Sequence, residues 1–191
     1  MKRYLLAIAA TLAALSSACV PAKGGSGSVS HLSLDDVDGK RHYLSDYIGR
    51  KKAVVMTFWA TWCVPCKDEL PVLQKIYERE RDRGLEIIAI AMDGPETQAQ
   101  VGAQAQQMGL TFPVLLDTDS RAVALYNPKR AAPMLRIFDE DGRIVYSHTT
   151  FRPSMARKLE RKITSVLRGG RDGDDSRRPR RRRRRVAQDD D

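Results

Sequence analysis

Residues 53–77 read AVVMTFWATWCVPCKDELPVLQKIY, and the change of period inside this stretch decides the fold. Ala53 to Trp59 is a run of apolar, branched and aromatic residues behind the charged Arg50-Lys51-Lys52, the pattern of a strand buried on both faces. After Cys66, the residues Leu70, Leu73, Ile76 and Tyr77 recur at helical spacing with charges on the other side as far as Arg83, and Gly84 stops the helix. Leu85 to Ala91 (LEIIAIA) is a second buried strand, so the order strand, helix, strand predicts a right-handed parallel crossover. Between the first strand and its helix stands Trp62-Cys63-Val64-Pro65-Cys66.

A Cys-x-x-Cys pair is either a redox dithiol or half of a zinc site, and spacing alone does not separate them. Tetrahedral zinc wants two further Cys or His ligands. The sequence offers Cys19, near the chain start, and three scattered histidines at 31, 42 and 148. A redox dithiol instead wants its first cysteine at a strand-to-helix junction, where unpaired N–H groups and the helix dipole favour thiolate, and Cys63 sits at such a junction. Cys63 is then the nucleophile that attacks a substrate disulfide, Cys66 the resolving thiol one turn further in, and Pro65 a stiffener of the turn between them. A purely structural disulfide over so short a loop would contribute little stability. No metal and no organic cofactor is called for, since the dithiol itself carries the electrons. Trp62, beside the nucleophile, is expected on the substrate-facing surface and Trp59 in the packing; the histidines read as surface or hairpin residues.

Outward from this centre, Asp93 or Gly94 can cap a helix with Pro95 in its first turn, running to about Met108 and ended by Gly109. Thr111 to Leu116 reads as a strand and Arg121 to Tyr126 as a short helix. Met134 to Phe138 and Arg143 to His148 pair as an antiparallel hairpin across Asp139-Glu140-Asp141-Gly142. A last helix opens near Pro153 with the stripe Met155, Leu159, Ile163, Val166, Leu167. Asp38-Gly39 marks a small N-terminal hairpin. The sum is an α/β sandwich with a mixed sheet.

Residues 53–77 resemble the active-site region of TlpA/ResA/DsbE-like thiol-disulfide oxidoreductases of the thioredoxin superfamily, and the similarity runs from about residue 32 to 167. It includes Pro71, five residues after Cys66, and Glu69, three after it. The resemblance implies a thioredoxin-like fold whose mixed central sheet is flanked by helices, with an N-terminal β-hairpin and a central αβ insertion. It implies a cis proline facing the dithiol, for which Pro133 is the candidate, and substrate contact through the backbone of Ala132. Thr57 holds the place where thioredoxin carries a buried acid, which leaves Glu69 as the candidate for proton transfer; the alternative for Glu69 is an ordinary helix-start acid favoured by the dipole. The resemblance also implies disulfide-bearing client proteins, apocytochrome c among them, and a membrane thiol-disulfide electron donor; the chain is expected to be a monomer.

The two ends differ from the domain between them. Lys2 and Arg3, the apolar run Tyr4 to Leu15 and then Ser16-Ser17-Ala18 have the order of a signal peptide, residues 1–18. The run is shorter than the roughly 20 residues of a spanning helix. Cys19 follows as in a lipobox, although Ser16 stands where a large aliphatic residue is usual. Lipidation would account for an otherwise odd cysteine, and ordinary cleavage after Ala18 is the alternative. Cys19 and the Gly/Ser-rich linker to residue 30 form a flexible tether, so the chain is expected in the periplasm or cell envelope. Residues 31–167 make the domain. Residues 168–191 carry ten arginines against six aspartates and read as a disordered tail.

The net charge of +9 over 191 residues is therefore largely a property of the ends. The domain gives no argument for nucleic acid, and an exported chain would not meet it. Arg177 to Arg185 suits an anionic membrane surface or is merely a solvated tail. Two rival functions stand beside the oxidoreductase: a thiol peroxidase on the same fold, peroxiredoxin-like, and a non-enzymatic copper-binding or chaperone lipoprotein using a histidine such as His148.

Overall fold

The computed structural model describes residues 32–170. The signal segment, Cys19, the linker and Arg177–Arg185 lie outside the described residues. In chain order the elements are β1 (Ser33–Asp36), β2 (Arg41–Tyr43), β3 (Ala53–Trp59), α1 (Val64–Glu80), β4 (Leu85–Ala91), α2 (Val101–Gln107), β5 (Val114–Leu116), α3 (Arg121–Tyr126), β6 (Met134–Asp139), β7 (Ile144–His148) and α4 (Ala156–Leu167). One mixed sheet runs in the order β2-β1-β5-β4-β3-β6-β7.

β3 is buried along its whole length because it lies near the middle of this sheet with helices on both faces. Its pairing to β4 is parallel, from Ala53 opposite Leu85 to Trp59 opposite Ala91. Its pairing to β6 is antiparallel, ending with Phe58 opposite Met134. Alternate residues feed two cores. Val55, Trp59, Ile87, Leu135 and Ile137 pack under α1, α2 and α4, while Val54, Met56, Phe58, Ile88 and Ile90 pack with Leu44, Ile48 and α3 on the other face. Both cores are built mainly of branched and aromatic residues, with alanines where β3 and β4 pack closely, and their burial is the main favourable term in folding.

The N-terminal hairpin turns at Gly39, whose φ of +80° suits glycine, and β1 joins it antiparallel to β5. α1 gives way to a 3-10 turn at Arg81–Arg83, and Gly84 at φ +96° closes it with Lys52 pressed where a Cβ would lie.

Two elements differ from the expected ones. The helix expected from Pro95 to Met108 is cut back to a 3-10 turn at Gln98–Gln100 and α2, because Asp93 does not cap it: its buried carboxylate is spent on Thr61. The strand expected from Thr111 begins only at Val114. Pro113 has no N–H for the ladder, and Thr111 is instead engaged by Gln74 of α1, which accepts its N–H and donates to its hydroxyl, both at 2.9 Å.

Candidate active site

The chain leaves β3 at Trp59 and must turn before α1 can start, and two contacts shape that turn. Cys63 N–H donates to the Ala60 carbonyl at 3.0 Å, and Asp93, just past β4, accepts both the N–H and the hydroxyl of Thr61. Cys63 thereby arrives at the N-cap of α1 in extended conformation (φ −86°, ψ 99°), its sulfur accepting from Cys66 N–H at 3.3 Å. An N-cap is usually a Ser, Thr, Asp or Asn oxygen. A sulfur in that place lies against the positive end of a 17-residue helix, the environment that stabilises thiolate. Pro65, in the first turn, has no N–H to leave unsatisfied.

Cys63 and Cys66 form a disulfide, with S–S 2.05 Å and Cα–Cα 5.3 Å. Both are buried, Cys63 at 3% and Cys66 at 0% exposure, whereas the flanking Trp62 is 62% exposed. Val64 is exposed as well. The sulfurs thus sit under an apolar rim that faces outward.

Across from them the antiparallel register brings the start of β6 beside the end of β3. The Ala132–Pro133 peptide there is cis. Asn127 shapes the approach to it: its side-chain amide donates to the Ala131 carbonyl at 2.8 Å and its oxygen accepts the Ala131 N–H at 3.0 Å. Arg130, at φ +51°, lets the chain double back within this loop.

Behind the dithiol, Glu69 is fully buried. It lies in the second turn of α1, so the simple helix-start acid does not describe it. Thr57 donates its hydroxyl to Glu69 Oε2 at 3.0 Å, and His148 Nε2 lies 2.6 Å from Oε1. Thr57, Leu135 and His148 stand opposite one another in register across β3, β6 and β7, hence on one face of the sheet, and Glu69 reaches down onto them from α1. The threonine in mid-strand leaves room for a carboxylate supplied by the helix. Burial, followed by the Glu69 charge, holds the nearby Tyr146 phenol above its ordinary pKa.

His148, read as a surface or hairpin residue, ends β7 of the hairpin, and its partly buried side chain is turned inward onto Glu69. His42, correctly placed in the hairpin, is buried too, between Asp36 and Tyr47. The polar contacts of Asp93 with Thr61, Asn127 with Ala131 and His148 with Glu69 were not foreseen from the sequence, and only the acid at 69, in need of a partner, hinted at one of them. Among the described residues no group of three or more His, Cys, Asp or Glu side chains is placed to hold a metal ion.

A family model described as AhpC/TSA family matches residues 27–147. The chain belongs to the AhpC/TSA family. Within it, the chain is 33% identical over 129 residues to thiol-disulfide oxidoreductase ResA of Geobacillus kaustophilus (strain HTA426), a match covering 66% of this chain and 71% of that one. Against ResA of Bacillus subtilis (strain 168) it is 36% identical over 112 residues, covering 59% and 60%. The chain thus spans between about three fifths and seven tenths of the length of these relatives. Among solved structures, a Chlorobium tepidum protein assigned as thiol:disulfide interchange protein DsbE superposes with a TM-score of 0.65 at 25% identity, covering 73% of this chain and 94% of that one. A secreted Mycobacterium tuberculosis disulfide oxidoreductase homologous to E. coli DsbE shares the fold, with a TM-score of 0.61 at 20% identity over 71% of this chain and 96% of that one. Thioredoxin-like fold, AhpC/TSA membership and a Cys63–Cys66 pair at disulfide distance agree with the thiol-disulfide oxidoreductase expected of the sequence.

Proposed function

We propose that this chain is an extracytoplasmic thiol-disulfide oxidoreductase that works as a reductant of disulfides in exported proteins, apocytochrome c being one client class that its ResA-like relatives suggest. The observation that carries the reading is the Cys63 sulfur at the N-cap of α1, bonded to Cys66 and set opposite the cis Ala132–Pro133 edge. In the reduced protein, Cys63 thiolate attacks one sulfur of a client disulfide, forming a mixed disulfide and expelling one client thiolate. Cys66, deprotonated, then attacks the Cys63 sulfur; the second client thiolate leaves and the Cys63–Cys66 bond forms. The client gains two electrons, and the protein regains them from a membrane dithiol donor. Trp62 and the backbone of Ala132 hold the client strand, with Pro133 closing that edge. Cys19 would anchor the domain through a lipid, and Arg177–Arg185 would hold it to an anionic membrane surface.

Among the described residues no helix is long and apolar enough to cross a membrane. The copper-binding rival would use a histidine such as His148, whose Nε2 lies on Glu69, and it predicts loss of metal binding in Cys63→Ser. A thiol peroxidase would consume peroxide with the reduced domain. Expressed with its export segment, the Cys66→Ser variant should accumulate mixed disulfides with client proteins and Cys63→Ser should not. Absence of trapped clients, or a reduction potential far above the about −270 mV of thioredoxin, would overturn the reductant.

A further inference from the structure

Cys66 is fully buried, and in the reaction proposed above its thiol must give up a proton before it can attack the mixed disulfide. No solvent reaches it directly. The nearest titratable group along its own helix face is Glu69, three residues on, and Glu69 is a buried carboxylate held at both oxygens. A lone buried carboxylate is costly to keep ionised, so its partners decide whether it can act as a base.

Those partners are unequal. Thr57 donates its hydroxyl hydrogen bond but does not take up a proton. His148 can also take up a proton, and its geometry is arranged for one exchange only: Nε2 lies on Glu69 Oε1 at 2.6 Å, while Nδ1 is buried with no hydrogen-bond partner. The imidazole is therefore tied at one end to the carboxylate and tied to nothing at the other. Glu69 and His148 are joined by a short hydrogen bond, so a proton that reaches either group can be shared with the other. β3 and β6 contribute Thr57 and Leu135, α4 contributes Leu159 and Ile163 to the same core, and Arg136 alternates to the opposite face of the sheet. Among the described residues, the titratable group seen against the pair is Tyr146, edge-on to the His148 ring at 5.7 Å between centroids and under the Glu69 charge.

We propose that His148 is a positioning residue for the dithiol reaction, which holds Glu69 in the form able to accept the Cys66 proton and shares that proton once it arrives. The proton leaves Cys66 as its sulfur attacks Cys63; it is kept by the Glu69–His148 pair and returns to the Cys66 thiolate, the group expelled when the donor dithiol attacks Cys63 in the return half-cycle. His148 acts only through Glu69 and touches no reacting sulfur.

This inference rests on the oxidoreductase reading, and the two fail separately. The experiment follows resolution of a mixed disulfide formed between the full-length protein and a small aromatic disulfide probe, as a function of pH, in the wild type, His148→Gln, Glu69→Gln and the double variant. Glutamine at 148 keeps a donor for Glu69 but takes up no proton. His148→Gln should fold as the wild type does in thermal unfolding, yet move the rate profile to higher pH, by about one unit and so roughly tenfold in rate at neutral pH. In the Glu69→Gln background the same change should add nothing, because coupled residues are not additive. An unshifted profile in His148→Gln, or a full shift that persists without Glu69, overturns the proposal. A wild type that does not react with the probe overturns the oxidoreductase instead. If His148→Gln fails to fold, His148→Asn is measured in its place, with the same two outcomes.

Discussion

The carboxylate of Asp93 accepts the backbone N–H of Thr61 from both its oxygens, at 3.2 and 3.1 Å, and takes the Thr61 hydroxyl as well. The residue just past β4 is thereby fastened to Thr61, 32 residues earlier, in the turn that delivers Cys63. Both partners are buried. Asp93→Ala leaves an N–H and a hydroxyl without partners, a cost of about 1–3 kcal/mol, and frees the approach to the α1 N-cap. Denaturant unfolding should show that loss, and the folded variant should reduce a disulfide more slowly than the wild type. Asp93→Asn, which keeps acceptor capacity, should recover part of both.

Trp62 is exposed beside the buried Cys63, so its side chain does little for the fold. Trp62→Ala should change unfolding free energy by no more than about 0.5 kcal/mol. The same change should lower kcat/KM for a protein disulfide by about tenfold, equivalent to about 1.4 kcal/mol, and leave the rate with a small disulfide nearly unaltered. Equal losses for both substrates would remove Trp62 from the client surface.

Much of this site was legible in the sequence because it is local. β3, β4 and α3 fall where the apolar runs and helical spacing put them, and Cys63 caps α1 because strand, turn and helix follow one another without a gap. The pairs that escaped are long-range and polar. Nothing near position 148 marks its histidine for Glu69, 79 residues away; only the fold of β6 against β3 and of β7 against β6 brings them together. Asp93 looked like a cap because Gly94 and Pro95 follow it, and the tertiary contact with Thr61 won over that local signal. A buried polar group in a sequence announces that it needs a partner without naming one.

Burial raises the pKa of Asp36, and the hydrogen bonds from His42 and from the N–H groups of Lys40 and Asp38 more than reverse this, so the carboxyl lies below its ordinary value. A depressed carboxyl stabilises the fold above its unfolded pKa of about 3.9, and that contribution is lost as pH falls through the lower folded value. Asp36→Asn should therefore be less stable than the wild type at neutral pH, with the gap closing below about pH 4. Thermal unfolding across that range measures it. A gap independent of pH would mean that shape and not charge holds the hairpin.

Tyr47 and Tyr77 are both pushed up to about 12, by burial first and then by the charge of Glu86. The Tyr77 hydroxyl also donates to Glu86 at 3.1 Å. Because the folded values exceed the unfolded value of about 10, the stability they contribute is complete below that pH and is lost as pH rises through about 12. Phenolate absorbance should show a late-titrating component, and Tyr77→Phe should remove part of it.

Asn127 closes a small ring with Ala131, donating to its carbonyl and accepting its N–H, and its amide also reaches the Met92 sulfur at 3.2 Å. These bonds fix the residue that precedes Ala132 and Pro133, yet none of them touches α1. The dithiol and the loop are thus held by separate anchors, Asp93 for one and Asn127 for the other, and a lesion in one should leave the other intact. Asn127→Ala removes both partners of Ala131 and should cost about 1–3 kcal/mol in unfolding free energy. With the loop loosened, the backbone of Ala132 no longer waits in place for an incoming strand, so KM for a protein disulfide should rise severalfold while the reduction potential of the Cys63–Cys66 couple stays at the wild-type value. Asn127→Asp keeps the acceptor for Ala131 N–H and loses the donor to its carbonyl, so its KM should fall between the two. A change of potential in Asn127→Ala would show that the loop and the dithiol are coupled after all.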